Sequence, residues 1–223
     1  MDGFILLNKP PGPTSHDVVE EIRAVTEISR VGHAGTLDPF AEGLLILLVG
    51  DFTKRFSEFA RLSKRYRAVL LLGMESNTHD VEGEIAPRKE VTIPLREDVE
   101  EALKKFRGEF RQLPPQFSSL KFKGERAYAA ARKGREVPLE ARTVLISELE
   151  VVWYRYPLLT LDITCSRGTY IRALGRDIGN ALGTGAVVSQ LKRISIGPYL
   201  LRDAVESKDI TSKNWTQFLR SPV

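Results

Sequence analysis

The sequence predicts an α+β fold built on a mixed, largely antiparallel central sheet with flanking helices. Three observations carry that prediction. Strand-patterned segments outnumber helical ones. The two kinds do not alternate strictly, as a doubly wound parallel sheet would require. Residues 144–154 and 158–166 are neighbouring strand-like runs. In the second, Leu159, Leu161, Ile163 and Cys165 alternate with Thr160, Asp162, Thr164 and Ser166, the period of a strand with one buried face.

The other elements follow in chain order. Residues 3–10 read as a strand stopped by the turn cluster Lys9-Pro10-Pro11-Gly12. Thr14 or Ser15 can cap a helix whose Val18, Val19, Ile22 and Val25 share a face. Residues 43–50 are apolar throughout and read as a strand buried on both faces. A short helix is expected over 53–60, with Phe52, Phe56, Phe59 and Ala60 inward, then a strand over 65–73. Residues 97–108 form an amphipathic helix with Val99, Ala102, Leu103 and Phe106 inward, stopped by Gly108. The strand pair comes next. A helix over 169–183 then buries Ile171, Leu174, Ile178 and Leu182, with Gly183 at its left-handed end. A last helix is expected over 214–219. Residues 114–142 are long, basic and weakly patterned, the signature of a functional or mobile insertion with at most a short helix around 127–132.

Length and composition exclude several classes. A chain of 223 residues with 42 % hydrophobic and 28 % charged residues is neither disordered nor a membrane span, and a single domain over 1–223 is expected. Cys165 stands alone, which excludes an internal disulfide and a multi-cysteine zinc site. With an acid at position 2 and no basic leader, a cytoplasmic setting and a monomer are expected. His16, His33 and His79 are scattered without metal-ligand spacing, so neither metal nor cofactor is expected.

The net charge of +4 is unevenly distributed. Residues 54–67 carry net +5, residues 121–142 net +4 and residues 166–193 net +4, leaving −9 for the rest. Each run holds a tyrosine: Tyr66, Tyr128 and Tyr170. Bases interleaved with aromatics suit a polyanion whose bases stack, which points to nucleic acid. Three separate solvated surfaces are the plainer alternative.

Chemistry concentrates at Gly32–Gly43, GHAGTLDPFAEG. Glycines permit tight turns and close ligand approach, and Pro39 restricts the backbone of Asp38. A carboxylate on a pinned loop entering a buried strand can be a nucleophile or a base. Equally, Asp before Pro is a common helix start, with Asp38 as the cap. KRYR (64–67) and RGTYIR (167–172) place an aromatic between cations. That suits a flipped base stacked on a ring with its phosphates held by the cations; a core tyrosine between exposed bases is the other reading. Arg172 can instead pair with Asp38, keeping a buried carboxylate ionised.

Assembled in order, these motifs resemble those of the TruB family of tRNA pseudouridine synthases. The likeness covers about residues 3–198, from LLNKPPGPTSHDVV through GHAGTLDP, KRYR, NTHDVEGE and GTYIR to LKRISIGP. It implies a central mixed sheet, an RNA-binding cleft, and isomerisation of uridine 55 in the T arm of tRNA to pseudouridine without cofactor or metal. Asp38 then matches the catalytic aspartate, Tyr66 the tyrosine that stacks on the target base and takes the C5 proton, and Arg172 the arginine paired with the aspartate. Tyr170 and Leu191 match pocket walls, Lys9 a supporting lysine, and His33 the histidine that enters the T loop. Lys54, Lys121 and Arg193, from the basic runs, are the further candidates for substrate contact. Residues 115–142 match a mobile thumb-like insertion. Residues 206–223 are expected to be a C-terminal tail in place of the family's RNA-binding PUA domain, which argues against the guide-dependent dyskerin branch. Covalent-adduct and elimination routes both remain open for the aspartate. Two rival readings share the motifs: an RNA-binding or tRNA-folding module of the same fold, and a synthase for another stem-loop. An intact Asp38–Tyr66–Arg172 set favours an enzyme, because a pure binder needs no carboxylate facing an anionic ligand.

Overall fold

The computed structural model describes residues 1–118, 120–122 and 124–221. The chain forms two compact units, residues 1–67 with 191 onward, and Ala68–Gln190. It passes between them within two strands.

The first unit begins with β1 (Gly3–Lys9), α1 (Ser15–Thr26), β2 (Val31–His33), β3 (Glu42–Val49), α2 (Phe56–Ala60) and the start of β4 (Lys64–Leu72). The second unit holds the rest of β4, then β5 (Met74–Ser76), β6 (Ile85–Pro87), α3 (Arg96–Lys104), β7 (Gly108–Gln112), β8 (Lys121–Phe122), β9 (Glu125–Arg126), α4 (Ala127–Ala131), β10 (Arg142–Arg155), β11 (Leu158–Cys165), α5 (Ile171–Ala181) and the start of β12 (Ala186–Ile196). The remainder of β12, then β13 (Tyr199–Leu200) and β14 (Val205–Glu206), return to the first unit.

In the first unit β1 runs antiparallel to β3, from Gly3 opposite Val49 to Lys9 opposite Gly43. β14 lies parallel to β1, and β12 parallel to β3, with Arg193 opposite Gly43. β2 and β13 add antiparallel pairs. Alternation explains why β3 is apolar on both faces. Ile5, Leu7, Leu45, Leu47 and Val49 pack against Val18, Val19 and Ile22 of α1. Phe4, Leu6, Leu44, Ile46 and Leu48 pack on the opposite side with Phe59 and Ile196. Helix α1 starts in a capping box: Thr14 Oγ1 accepts from Asp17 N, and Asp17 accepts from Thr14 N. The segment expected to be a tail is built into this unit. Ile210 and Trp215 join the α1 core, and Arg220 exchanges two backbone bonds with Phe4.

In the second unit β10 runs antiparallel to β11 and to β7. The mixed, largely antiparallel sheet read from the sequence is therefore present. Two expected helices differ. Residues 50–55 wind as a 3-10 turn before α2, which rotates Phe56 outward to 49 % exposure while Phe59 stays buried. The C-terminal helix is a single 3-10 turn, Trp215–Phe218. Among the described residues no helix is long and apolar enough to cross a membrane.

Candidate active site

Asp38 does not cap a helix. It opens a turn, with Ala41 N donating to Asp38 O at 3.1 Å, between β2 and β3. Three buried polar side chains hold that loop through its backbone. Ser15 Oγ accepts from Leu37 N at 2.8 Å and donates to Leu37 O at 3.1 Å. Lys9, fully buried, donates to Pro39 O at 3.1 Å and Ala41 O at 2.7 Å. Arg193, 1 % exposed, donates to Leu44 O at 2.7 Å, Gly35 O at 3.1 Å and Thr36 O at 3.2 Å. Carbonyls on both sides of Asp38 are thus tied to buried cations, which satisfies groups that would be costly to leave bare. Gly43 is required here. At φ +107° it approaches β12 so closely that a Cβ would meet Arg193 O at 2.4 Å.

This geometry corrects the expectation for Arg193. Its guanidinium is inside the protein and directs its donors to carbonyls of the loop and of β3, not to the surface. Lys9, expected to support the substrate pocket, binds carbonyls of the loop after Asp38. His33 closes β2 opposite Leu47. Burial, then the charges of Arg193 and His16, hold the ring below its ordinary pKa, against a hydrogen bond with the Gly35 backbone. Leu191 is buried in β12. Lys54 is exposed and paired with Asp51 at 3.0 Å.

Tyr66 sits on β4, 8 % exposed, between exposed Arg65 and Arg67, an arrangement common to the stacking and the core readings. Lys64 differs from its neighbours. It is buried and donates to Ala60 O at 2.5 Å and Leu62 O at 2.6 Å, closing the C-terminal end of α2, where a cation is favoured.

In the second unit Arg172, 5 % exposed, lies in the first turn of α5. It pairs with buried Asp80 (Nε–Oδ2 3.4 Å) and donates to Thr78 O at 3.0 Å and Phe117 O at 2.8 Å. Asp80 Oδ1 accepts from Thr78 Oγ1 at 2.5 Å and Glu82 N at 3.0 Å. Sequence reasoning singled out NTHDVEGE without giving Asp80 this role; its only signal was an acid inside a shared motif. Tyr170 is half-buried and precedes α5, its backbone held by Gln112. Gln112 was likewise missed. The Lys121 side chain lies outside the described residues.

Burial also redistributes the charge runs. In 166–193, Arg172 and Arg193 are internal, and Arg176 and Lys192 pair with Asp177 and Glu42. In 121–142, Lys133 and Arg135 converge on Glu125, and Arg132 lies 5.6 Å over the Tyr128 ring. In 54–67, Arg61, Arg65 and Arg67 are exposed. Charge counted along the chain therefore overstates the third surface.

His79 adds a pH dependence. Burial first, then the charges of Arg176 and Arg172, push it from 6.5 to about 4, against the Ser76 backbone. The unfolded chain takes up the proton first, so stability is full above about 6.5 and falls as pH drops towards 4, by at most about 3 kcal/mol. His79 has φ +63°, which asparagine tolerates well. His79→Asn should flatten the decline in melting temperature between pH 7 and 4.5; an unchanged slope would assign the effect elsewhere.

Comparison with known proteins gives the family. A family described as "TruB family pseudouridylate synthase (N terminal domain)" matches residues 23–171, and "tRNA pseudouridylate synthase B C-terminal domain" matches 172–221. The protein of Thermosipho melanesiensis named tRNA pseudouridine synthase B is 43 % identical over 210 residues, 94 % of this chain and 69 % of that protein. The protein of the same name from Clostridium tetani is 40 % identical over 98 % of this chain and 76 % of its own length. A solved chain in a Cbf5-Nop10-Gar1 complex superposes with TM-score 0.74 at 28 % identity, covering 96 % of this chain and 54 % of that one. A chain from an H/ACA RNP bound to a substrate RNA gives TM-score 0.70 at 27 % identity. This chain spans about half the length of those two solved chains. The family match and the named relatives define the class, that of the pseudouridine synthases, which are isomerases. Within that class the chain belongs to the TruB family.

Proposed function

We propose that this protein converts uridine to pseudouridine at position 55 in the T arm of tRNA. The observation that carries the reading is the Asp38 loop, held on both sides by buried Ser15, Lys9 and Arg193. Committing so many buried polar groups to one loop is intelligible if the carboxylate must be held in a narrow range of positions. The reaction breaks the N1–C1′ bond, turns the uracil and joins C5 to C1′; the C5 proton leaves and N1 gains one, so no net oxidant or reductant is consumed. Asp38 serves as nucleophile or base. Tyr66 stacks on the base, and its hydroxyl takes the C5 proton. Arg172 is the accompanying cation. The insertion 115–142 closes over the RNA and excludes water from the detached uracil. The test is to incubate unmodified tRNA transcripts with the protein and map pseudouridine. Modification at position 55 is expected; none, or modification confined to other stem-loops, would overturn the reading.

Tyr66→Phe keeps the stacking face and loses the hydroxyl. It should bind tRNA within about threefold of wild type yet lower turnover by about 100-fold. Wild-type turnover would leave the ring with stacking alone.

RNA affinity should fall steeply with salt. Neutralising Arg61, Arg65 and Arg67 should flatten the slope of log affinity against log salt, by a little under about one for each phosphate that the protein no longer neutralises. An unchanged slope would make these arginines ordinary solvated surface.

A further inference from the structure

We infer that Gln112 is a positioning residue for Arg172, joining the base of the insertion to the first turn of α5; the inference rests on the function proposed above. Gln112 is the last residue of β7 and faces Arg142, the first of β10, so it stands where the insertion leaves and returns. The residue is 1 % exposed. Oε1 accepts from Tyr170 N at 2.9 Å, and Nε2 donates to Tyr170 O at 3.1 Å. One amide thus grips both backbone groups of a single residue, as a neighbouring strand would.

The gripped residue begins α5. Tyr170 has extended angles and no side-chain cap, and its carbonyl also receives Leu174 N at 3.0 Å, the first helical bond. Fixing Tyr170 therefore fixes the direction in which α5 starts, and Arg172 follows two residues later. The chain beyond Gln112 stays attached to the same helix: Arg176 donates to Leu113 O at 2.9 Å and Arg172 to Phe117 O at 2.8 Å. Force on the insertion is thereby passed to the helix turn that carries Arg172. An amide is costly to bury unless its bonds are made, and here each end meets a backbone partner.

The experiment measures single-turnover pseudouridine formation and RNA affinity for wild type, Gln112→Ala and Gln112→Glu, at temperatures where each is folded. Glutamate has the shape of glutamine. Ionised, it sets a carboxylate against Tyr170 O; protonated, it restores the donor. Gln112→Ala should lower the rate at least about tenfold at every pH, with RNA affinity within about threefold. The rate of Gln112→Glu relative to wild type should be low at pH 8 and rise about tenfold by pH 6, as the buried carboxyl takes up its proton. Rates within twofold of wild type, or a loss confined to RNA affinity, would overturn the inference alone. A wild-type protein that forms no pseudouridine would overturn the proposed function, and this inference with it.

Discussion

Asp38→Asn should lose at least about four orders of magnitude in pseudouridine formation while remaining folded and binding tRNA within a fewfold of wild type. The scaffold argument is specific. The turn uses the main-chain oxygen of Asp38, and Lys9, Ser15 and Arg193 all grip neighbouring backbone atoms. None of these bonds needs a carboxylate at position 38. Asparagine keeps the shape and hydrogen-bonding size of the side chain and removes its charge and nucleophilicity. A scaffold loss would appear as a lower melting temperature; a chemical loss would not. The measurement is a time course of pseudouridine in a tRNA transcript beside a melting curve and a binding isotherm. A variant retaining a tenth of wild-type activity would reduce Asp38 to a turn former.

The loop itself was legible in the sequence, but its supports were only partly so. Glycines 32, 35 and 43 around Asp38-Pro39 announced a constrained turn. Nothing local announced that Ser15, also a plausible helix cap, turns its hydroxyl onto Leu37, or that Arg193 reaches Gly35, about 160 residues earlier. The Arg193 contact depends on β12 lying parallel to β3, and a parallel crossover has no short-range signature. Arg193 looked like a member of a basic patch for that reason, and Lys64 because its bonds to Ala60 O and Leu62 O need the chain to turn at the end of α2. Burial decides whether a cation meets solvent or a carbonyl, and burial is a property of the sheet.

Strand and helix positions were more legible, because side-chain period follows directly from backbone geometry. The runs of β3, β10, β11 and α5 read correctly for that reason. Phe56 was misplaced because a 3-10 turn has three residues per turn, so the aromatic face of 52–60 drifts from the α-helical one. The C-terminal segment looked like a tail because it lacks a period. Its packing rests on single residues, Ile210 and Trp215, and on a bridge at Arg220.

Asp80→Ala should be among the most destabilising single changes in the second unit. The pair it breaks is buried on both sides, with Arg172 5 % and Asp80 2 % exposed. Removing one member of such a buried pair typically costs about 3–5 kcal/mol. The bonds from Arg172 to Thr78 O and Phe117 O persist and favour the lower end of that range. The alanine also abandons Thr78 Oγ1 and Glu82 N, which Asp80 holds in its own turn. Asp80→Asn keeps an acceptor for those donors and removes only the charge, so it should cost less, about 1–3 kcal/mol. Because Arg172 would no longer be aimed, both variants should also lose pseudouridine formation, Asp80→Ala the more severely. The interaction can be isolated by a double-mutant cycle. If the buried charges depend on each other, Asp80→Leu combined with Arg172→Met should be less destabilised than the sum of the two single changes, because neither charge of the pair remains without the other. Denaturant unfolding of the four proteins supplies the cycle. Additive losses, or an Asp80→Ala protein within about 0.5 kcal/mol of wild type, would show that Arg172 is held independently of Asp80 and that Asp80 serves only its own turn.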